Sequence, residues 1–159
     1  MTSGLPDIWR ERVAPEWCDY NNHMNLAYYV LIFDHATDAF YNSLGLDDAY
    51  RASTECSTFA VESHTNYIAE VHEGDEVYCT AQLLDYDEKR LHYFHCMYHA
   101  EKGFLSATTE LMAVHVDMKV RRVAPMGKAV LRAAEEMFGT HRDLPRPAQA
   151  GRSIGIRRK

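Results

Sequence analysis

Asp19, Asn21, Asn22, His23 and Asn25 crowd into a short stretch of a 159-residue chain, directly ahead of a long apolar-periodic segment. Polar side chains at the mouth of a buried helix are costly unless they hydrogen-bond or react. An acid in that place has a defined chemistry. The positive end of the helix dipole keeps Asp19 ionised, and unpaired backbone N–H groups at the same end hold a developing oxyanion. This pairing suits cleavage of an activated acyl group such as a thioester. Its thiolate leaving group, with a conjugate acid titrating at roughly pH 8 to 9, needs little help. Asp19 is therefore the candidate nucleophile or base, against the plainer reading of an N-cap or Asx-turn. Asn25 has the residue type of a true N-cap. His23 either orients Asp19 or the substrate, or serves as a structural hydrogen-bonder. His23, Asp34, His35 and Asp38 are also metal-ligand types, but none of their spacings matches H-E-x-x-H, so no metal is expected. His92, His95 and His99 are split between strand faces and receive no joint role.

The elements that position these residues follow from hydrophobic periodicity. Ile8, Trp9, Val13 and Trp17, interrupted by Pro15, read as a short edge strand. Leu26, Val30, Phe33, Ala36 or Thr37, Phe40 and Leu44 form a helical stripe that stops at Gly45, and Ala27, Leu31 and Ile32 widen it toward a covered helix. Residues 46–51 suit a short helical turn. From Cys56 the period falls toward two, giving strands over about 56–71, 75–86, 90–100 and 105–116. Polar connections at 73–75, 87–89 and 101–103 predict an antiparallel meander of all four. Apolar groups on both strand faces, Leu91, Tyr93 and Met97 against Phe94, Cys96 and Tyr98, imply cover on both sides. Residues 127–138 read as a terminal helix. The segment from His141, with paired glycines and prolines and a basic end, reads as a mobile tail.

The length fits one domain, residues 1–140, with a core of ordinary composition. A formal charge of −6 argues against nucleic acid as a partner. Cys18, Cys56, Cys79 and Cys96 include no C-x-x-C pair and no signal-peptide pattern leads the chain, so reduced thiols and a cytoplasmic location are expected. No apolar run approaches the roughly 20 residues of a membrane-spanning helix.

The run Asp19-x-x-Asn22-His23-Met24-Asn25-x-x-x-Tyr29, followed by Asp34 and Ala36, resembles the D-x-x-G-H-x-N-x-x-x-Y pattern of the 4-hydroxybenzoyl-CoA thioesterase family. Residues 61–67, the Gly74-Asp75 turn and the Asp117 to Pro125 exit resemble that family's later segments. Asn22 replaces the family's glycine. Asn is the other residue most tolerant of a left-handed backbone, so the turn survives while the space above it changes. Residues 15–25 and 33–40 resemble, more narrowly, the thioesterases of carnitine breakdown that act on betainyl-CoA. The resemblance implies an α+β hotdog fold, a long central helix wrapped by an antiparallel sheet of about five strands. It also implies hydrolysis of a small acyl-CoA with no cofactor beyond the substrate's own CoA. In that family the Asp attacks the carbonyl or activates water, and the amides near Met24 and Asn25 polarise the carbonyl.

CoA phosphates require local basic groups on an acidic protein. Lys119, Arg121 and Arg122 match the region that meets the nucleotide in relatives, with Lys89 and Arg90 as runner-up and plain surface charge as the alternative to both. A trimethylammonium acyl end favours aromatic faces and a carboxylate, for which Trp17, Tyr20, Tyr28, Tyr29 and Glu62 are the candidates. Core packing is the plainer reading of each alone. A hotdog enoyl-CoA hydratase and a non-catalytic acyl-CoA-binding module are the rival functions. The former is disfavoured because Asp19 and His23 lie four apart with no proline between them. Because one helix covers only one side of a sheet, a homodimer or homotetramer with sites at the subunit boundary is expected.

Overall fold

A computed structural model describes residues 4–158. In chain order the elements are β1 (Trp9–Arg12), a 3-10 turn (Pro15–Trp17), α1 (Leu26–Ser43), α2 (Asp48–Thr54) and β2 (Cys56–Tyr67). They continue with β3 (Glu76–Tyr86), β4 (Arg90–His99), β5 (Leu105–Asp117), β6 (Arg122–Val123) and α3 (Lys128–His141). α1 contains neither glycine nor proline and starts where the Asn25 side chain accepts the Ala27 N–H at 3.0 Å. It stops at Gly45, whose φ of 82° favours a residue without Cβ.

The helix buries the later part of the stripe that its apolar spacing predicts, Phe33, Ala36, Thr37, Phe40 and Leu44, and turns the first two positions outward. Tyr29, Ile32, Phe33, Ala36 and Phe40 are in the core, whereas Leu26 and Val30 are 60% and 49% exposed. In the first two turns Tyr29 and Ile32 take the inward places instead of Leu26 and Val30. Toward its C-terminal end α1 packs Phe40 and Tyr41 on Leu83 and Tyr93, beside Val130 and Ala134 of α3. Toward its N-terminal end Tyr29, Ile32 and Phe33 join Met24, Val71 and Met97.

The sheet is antiparallel with strand order β1-β3-β4-β5-β2, and β6 pairs briefly with β5. This corrects the four-strand meander. Only β3, β4 and β5 form one, and β2 returns beside β5, with Cys56 opposite Asp117 and Tyr67 opposite Ala107. The turn at Gly74 joins β3 to β1 instead. Gly74 N–H donates to the Val13 carbonyl at 2.9 Å and Val13 N–H to the Asp75 carbonyl at 2.8 Å. With that edge of β3 occupied, β2 pairs with the other end of the meander.

A buried histidine ties α1 to the strands. His95 donates from Nδ1 to the Thr80 carbonyl at 3.1 Å, which leaves Nε2 to accept the Thr37 hydroxyl at 3.0 Å. Burial lowers its pKa to about 4, so the ring is neutral. The last residue of α3, His141, meets the edge of β3 beyond β1, its Nδ1 accepting the Leu83 N–H at 3.0 Å. Farther on, Gly151 N–H donates to Glu110 Oε2 on β5 at 2.6 Å. Phe94 and Tyr98, on the second face of β4, are buried within this one chain. A need to cover that face is therefore not what calls for a second subunit.

Candidate active site

The polar knot is a closed loop. Cys18 and Met24 form an isolated antiparallel bridge, Asn22 N–H donates to the Asp19 carbonyl at 3.0 Å, and Asp19 N–H donates to the His23 carbonyl at 3.3 Å. Asn22 takes the corner with φ 62°, the left-handed conformation that Asn tolerates better than other non-glycine residues. Below the loop the Met24 side chain is 1% exposed and anchors the turn in the core. Thus the loop is fixed by main-chain bonds above and a buried thioether below.

Asp19 does not cap the helix, because Asn25 does. Its Oδ1 accepts the Asn21 N–H at 2.9 Å in an Asx-turn, and its Oδ2 accepts the Asn25 amide at 3.1 Å. Those two bonds, the Asn21 N–H first, hold its pKa below the ordinary carboxylate value. A carboxylate offers about four lone-pair sites, so each oxygen retains one for a substrate or water. Asn25 does two jobs, capping α1 with its oxygen and steadying Asp19 with its nitrogen.

The amides near Met24 and Asn25 are not open. Met24 N–H donates to the Val71 carbonyl and Asn25 N–H to the Trp17 carbonyl, both at 2.8 Å. The next amide, Leu26 N–H at the first helical position, meets no acceptor among the described residues. It is the donor that sequence reasoning missed, and its only signal is its place immediately after the cap.

His23 turns away from Asp19 in its hydrogen bonding. Its Nδ1 lies 3.1 Å from the Met24 carbonyl and its Nε2 4.0 Å from Glu70 Oε2. His23, Leu26, Tyr29, Tyr67, Ile68 and Glu70 line a cleft of about 300 Å³ beside the loop. Tyr67, Ile68 and Glu70 also escaped sequence reasoning, which read them only as part of the strand over 56–71.

The remaining candidates scatter. Trp17 stacks on Tyr28, with ring centroids 5.5 Å apart, and Tyr29 is core, its hydroxyl accepting the Val71 N–H at 3.3 Å. Tyr20 is 93% exposed. Glu62 lies mid-strand in a separate recess with His64, His92 and Glu110, away from the Asp19 loop within one chain. Lys119 Nζ is held 2.5 Å from Glu55, and Arg121 and Arg122 are exposed next to it. His35 meets Glu11 at 2.8 Å, and among the described residues no three ligand-type side chains are gathered as a metal would require.

Comparison with known proteins identifies the family. Residues 13–134 match the model of the thioesterase-like superfamily. The chain belongs to that superfamily. It is 42% identical to a betainyl-CoA thioesterase of Pseudomonas aeruginosa over 91% of both chains. It is also 35% identical, over 92% of its own length, to an L-carnitine dehydrogenase/betainyl-CoA thioesterase of Rhizobium meliloti, of which it spans 29%. A Staphylococcus aureus protein solved in complex with CoA superposes with a TM-score of 0.89 at 30% identity, over 96% of this chain and 97% of the other. This thioesterase-superfamily chain is a thioester hydrolase with the hotdog superfamily's antiparallel sheet. Among its described residues no helix is long and apolar enough to cross a membrane.

Proposed function

We propose that this thioesterase hydrolyses betainyl-CoA or a closely related small acyl-CoA to the free acid and CoA. The observation that carries the reading is the pairing of a solvent-reachable, ionised Asp19 with an unpaired Leu26 amide at the start of α1. Asp19 attacks the thioester carbonyl, or takes a proton from the water that does, and the carbonyl oxygen gains charge toward the Leu26 N–H. Collapse of the tetrahedral intermediate expels the CoA thiolate. With Asp19 as nucleophile the acyl–Asp anhydride is then opened by water, so either route consumes one water per thioester. Asn25 keeps the acid ionised and the helix end fixed. The betainyl assignment rests on the 42% identical relative. Thiol release from a panel of acyl-CoAs tests it, with betainyl-CoA expected to give the highest kcat/KM; enoyl loss without thiol would indicate a hydratase, and no turnover a binder.

We further propose that the active unit is a homodimer built on β2, with α1 as the central helix that the sheet curls around. β2 is an end strand whose outer edge is unpaired, and Phe59, Val61, Tyr67 and Ile68 are exposed on or just beyond it. The Asp19 cleft adjoins the Tyr67 end of β2, whereas Lys119, Arg121 and Arg122 adjoin its Cys56 end, about 36 Å away along the strand. A second copy added antiparallel at the free edge brings the Cys56 end of one chain beside the Tyr67 end of the other. Asp19 and the basic cluster then serve one CoA from two subunits.

A further inference from the structure

We infer that Glu70, with Tyr29 and Tyr67, forms the subsite for the cationic end of the acyl group, and that Glu70 sets the preference for a quaternary ammonium over a neutral group of the same shape. This rests on the betainyl-CoA reading and names the residue that enforces it.

The cleft beside the Asp19 loop has the composition such a group requires. Leu26 and Ile68 offer apolar surface, while Tyr67 meets Tyr29 edge to face at 5.3 Å and 85°. The Tyr29 hydroxyl is bound to the Val71 N–H, which fixes its ring. A trimethylammonium has no N–H to donate and spreads its charge over methyl groups, so it is recognised by aromatic rings and a nearby carboxylate.

Glu70 is the one carboxylate lining this cleft. Its ion-pair partners among the described residues are two imidazoles, His72 Nε2 at 3.4 Å and His23 Nε2 at 4.0 Å, and neither a guanidinium nor an ammonium meets it. Several surface carboxylates are instead paired with a guanidinium or ammonium, Asp7 and Glu76 with Arg10, Asp87 with Arg90 and Glu55 with Lys119. Glu70 therefore has no fixed ammonium or guanidinium partner at the mouth of the cleft and is available to a cation carried by the substrate. Glu62, the carboxylate expected from sequence, sits in a different recess of the same chain.

The test compares betainyl-CoA with 3,3-dimethylbutyryl-CoA, which replaces the ammonium nitrogen by carbon and leaves shape unchanged. In the wild type the kcat/KM ratio is expected to favour betainyl-CoA. Glu70→Gln is expected to lower the betainyl value by about 10- to 100-fold and to leave the neutral value within about threefold. Taking both substrates on one preparation cancels any loss of folded enzyme. A wild-type ratio near one would overturn the betainyl reading and the subsite together. A wild-type preference that survives Glu70→Gln, or that vanishes instead in Glu62→Gln, would overturn the Glu70 subsite and leave the betainyl reading standing.

Discussion

At the scale of single residues, the site depends on how Asp19 is held. Both its bonds favour the charged form, so the acid limb of the kcat/KM profile is expected below the ordinary carboxylate range. Asp19→Ala should cost about 10²- to 10⁴-fold in kcat while the unfolding transition moves by only a few degrees. Steady-state kinetics beside thermal melts check this, and near-normal kcat would remove Asp19 from the mechanism. Asn25→Asp separates the two jobs of Asn25. The new carboxylate still caps Ala27 N–H, but it replaces the donor at Asp19 by a like charge, so the acid limb should move upward while stability changes little. Much of this region is readable in sequence because Asp19, His23 and Asn25 are local neighbours. Glu70 is not, since only the return of the chain after β2 brings it to His23.

At the scale of elements, the cap at Asn25, the stop at Gly45, the start of β2 and the bounds of β3 to β5 are legible because caps, glycine turns and two-residue periods are local signals, whereas β2 ends at Tyr67, short of the expected 71. The partner of β2 is not. Hairpin-length connections suggest sequential pairing, yet the choice of edge is decided by β1 returning to β3 through Val13 and Gly74, a contact between distant parts of the chain. The outward turn of Leu26 and Val30 at the start of α1 is not legible either, since they are as apolar as the residues that reach the core. The lock between α1, β3 and β4 gives a pH prediction. The His95 pKa is about 4 folded and near 6.5 unfolded, so between these values the unfolded chain binds more protons and stability drops as the pH is lowered. The full contribution, about 3 kcal/mol, is present above pH 6.5 and lost through pH 4. Denaturant titrations across this range should show a shallower acid slope for His95→Gln than for the wild type; equal slopes would mean the ring does not titrate as buried.

At the scale of the whole molecule, the separation of Asp19 from Lys119, Arg121 and Arg122 along β2 makes a complementation experiment decisive. Asp19→Ala and a triple Ala variant of the basic cluster should each be poorly active, and refolding them together should restore activity, because a mixed dimer contains one site with both parts intact. No recovery in a mixture shown by light scattering to exchange subunits would confine each site to one chain. Val61→Pro on the free edge of β2 should give a monomer with lost turnover, measured by the same scattering and by thiol release.

The loop that carries Asp19 is closed by the Cys18 to Met24 bridge and by carbonyls and amides of the chain itself, not by the side chains at its tip. Tyr20, Asn21 and Asn22 are thereby a replaceable cassette, needing only a left-handed corner and one amide turned toward the acid. Grafting the tripeptide of another thioesterase into that frame would retune what passes over the carboxylate while the fold beneath is left as it was.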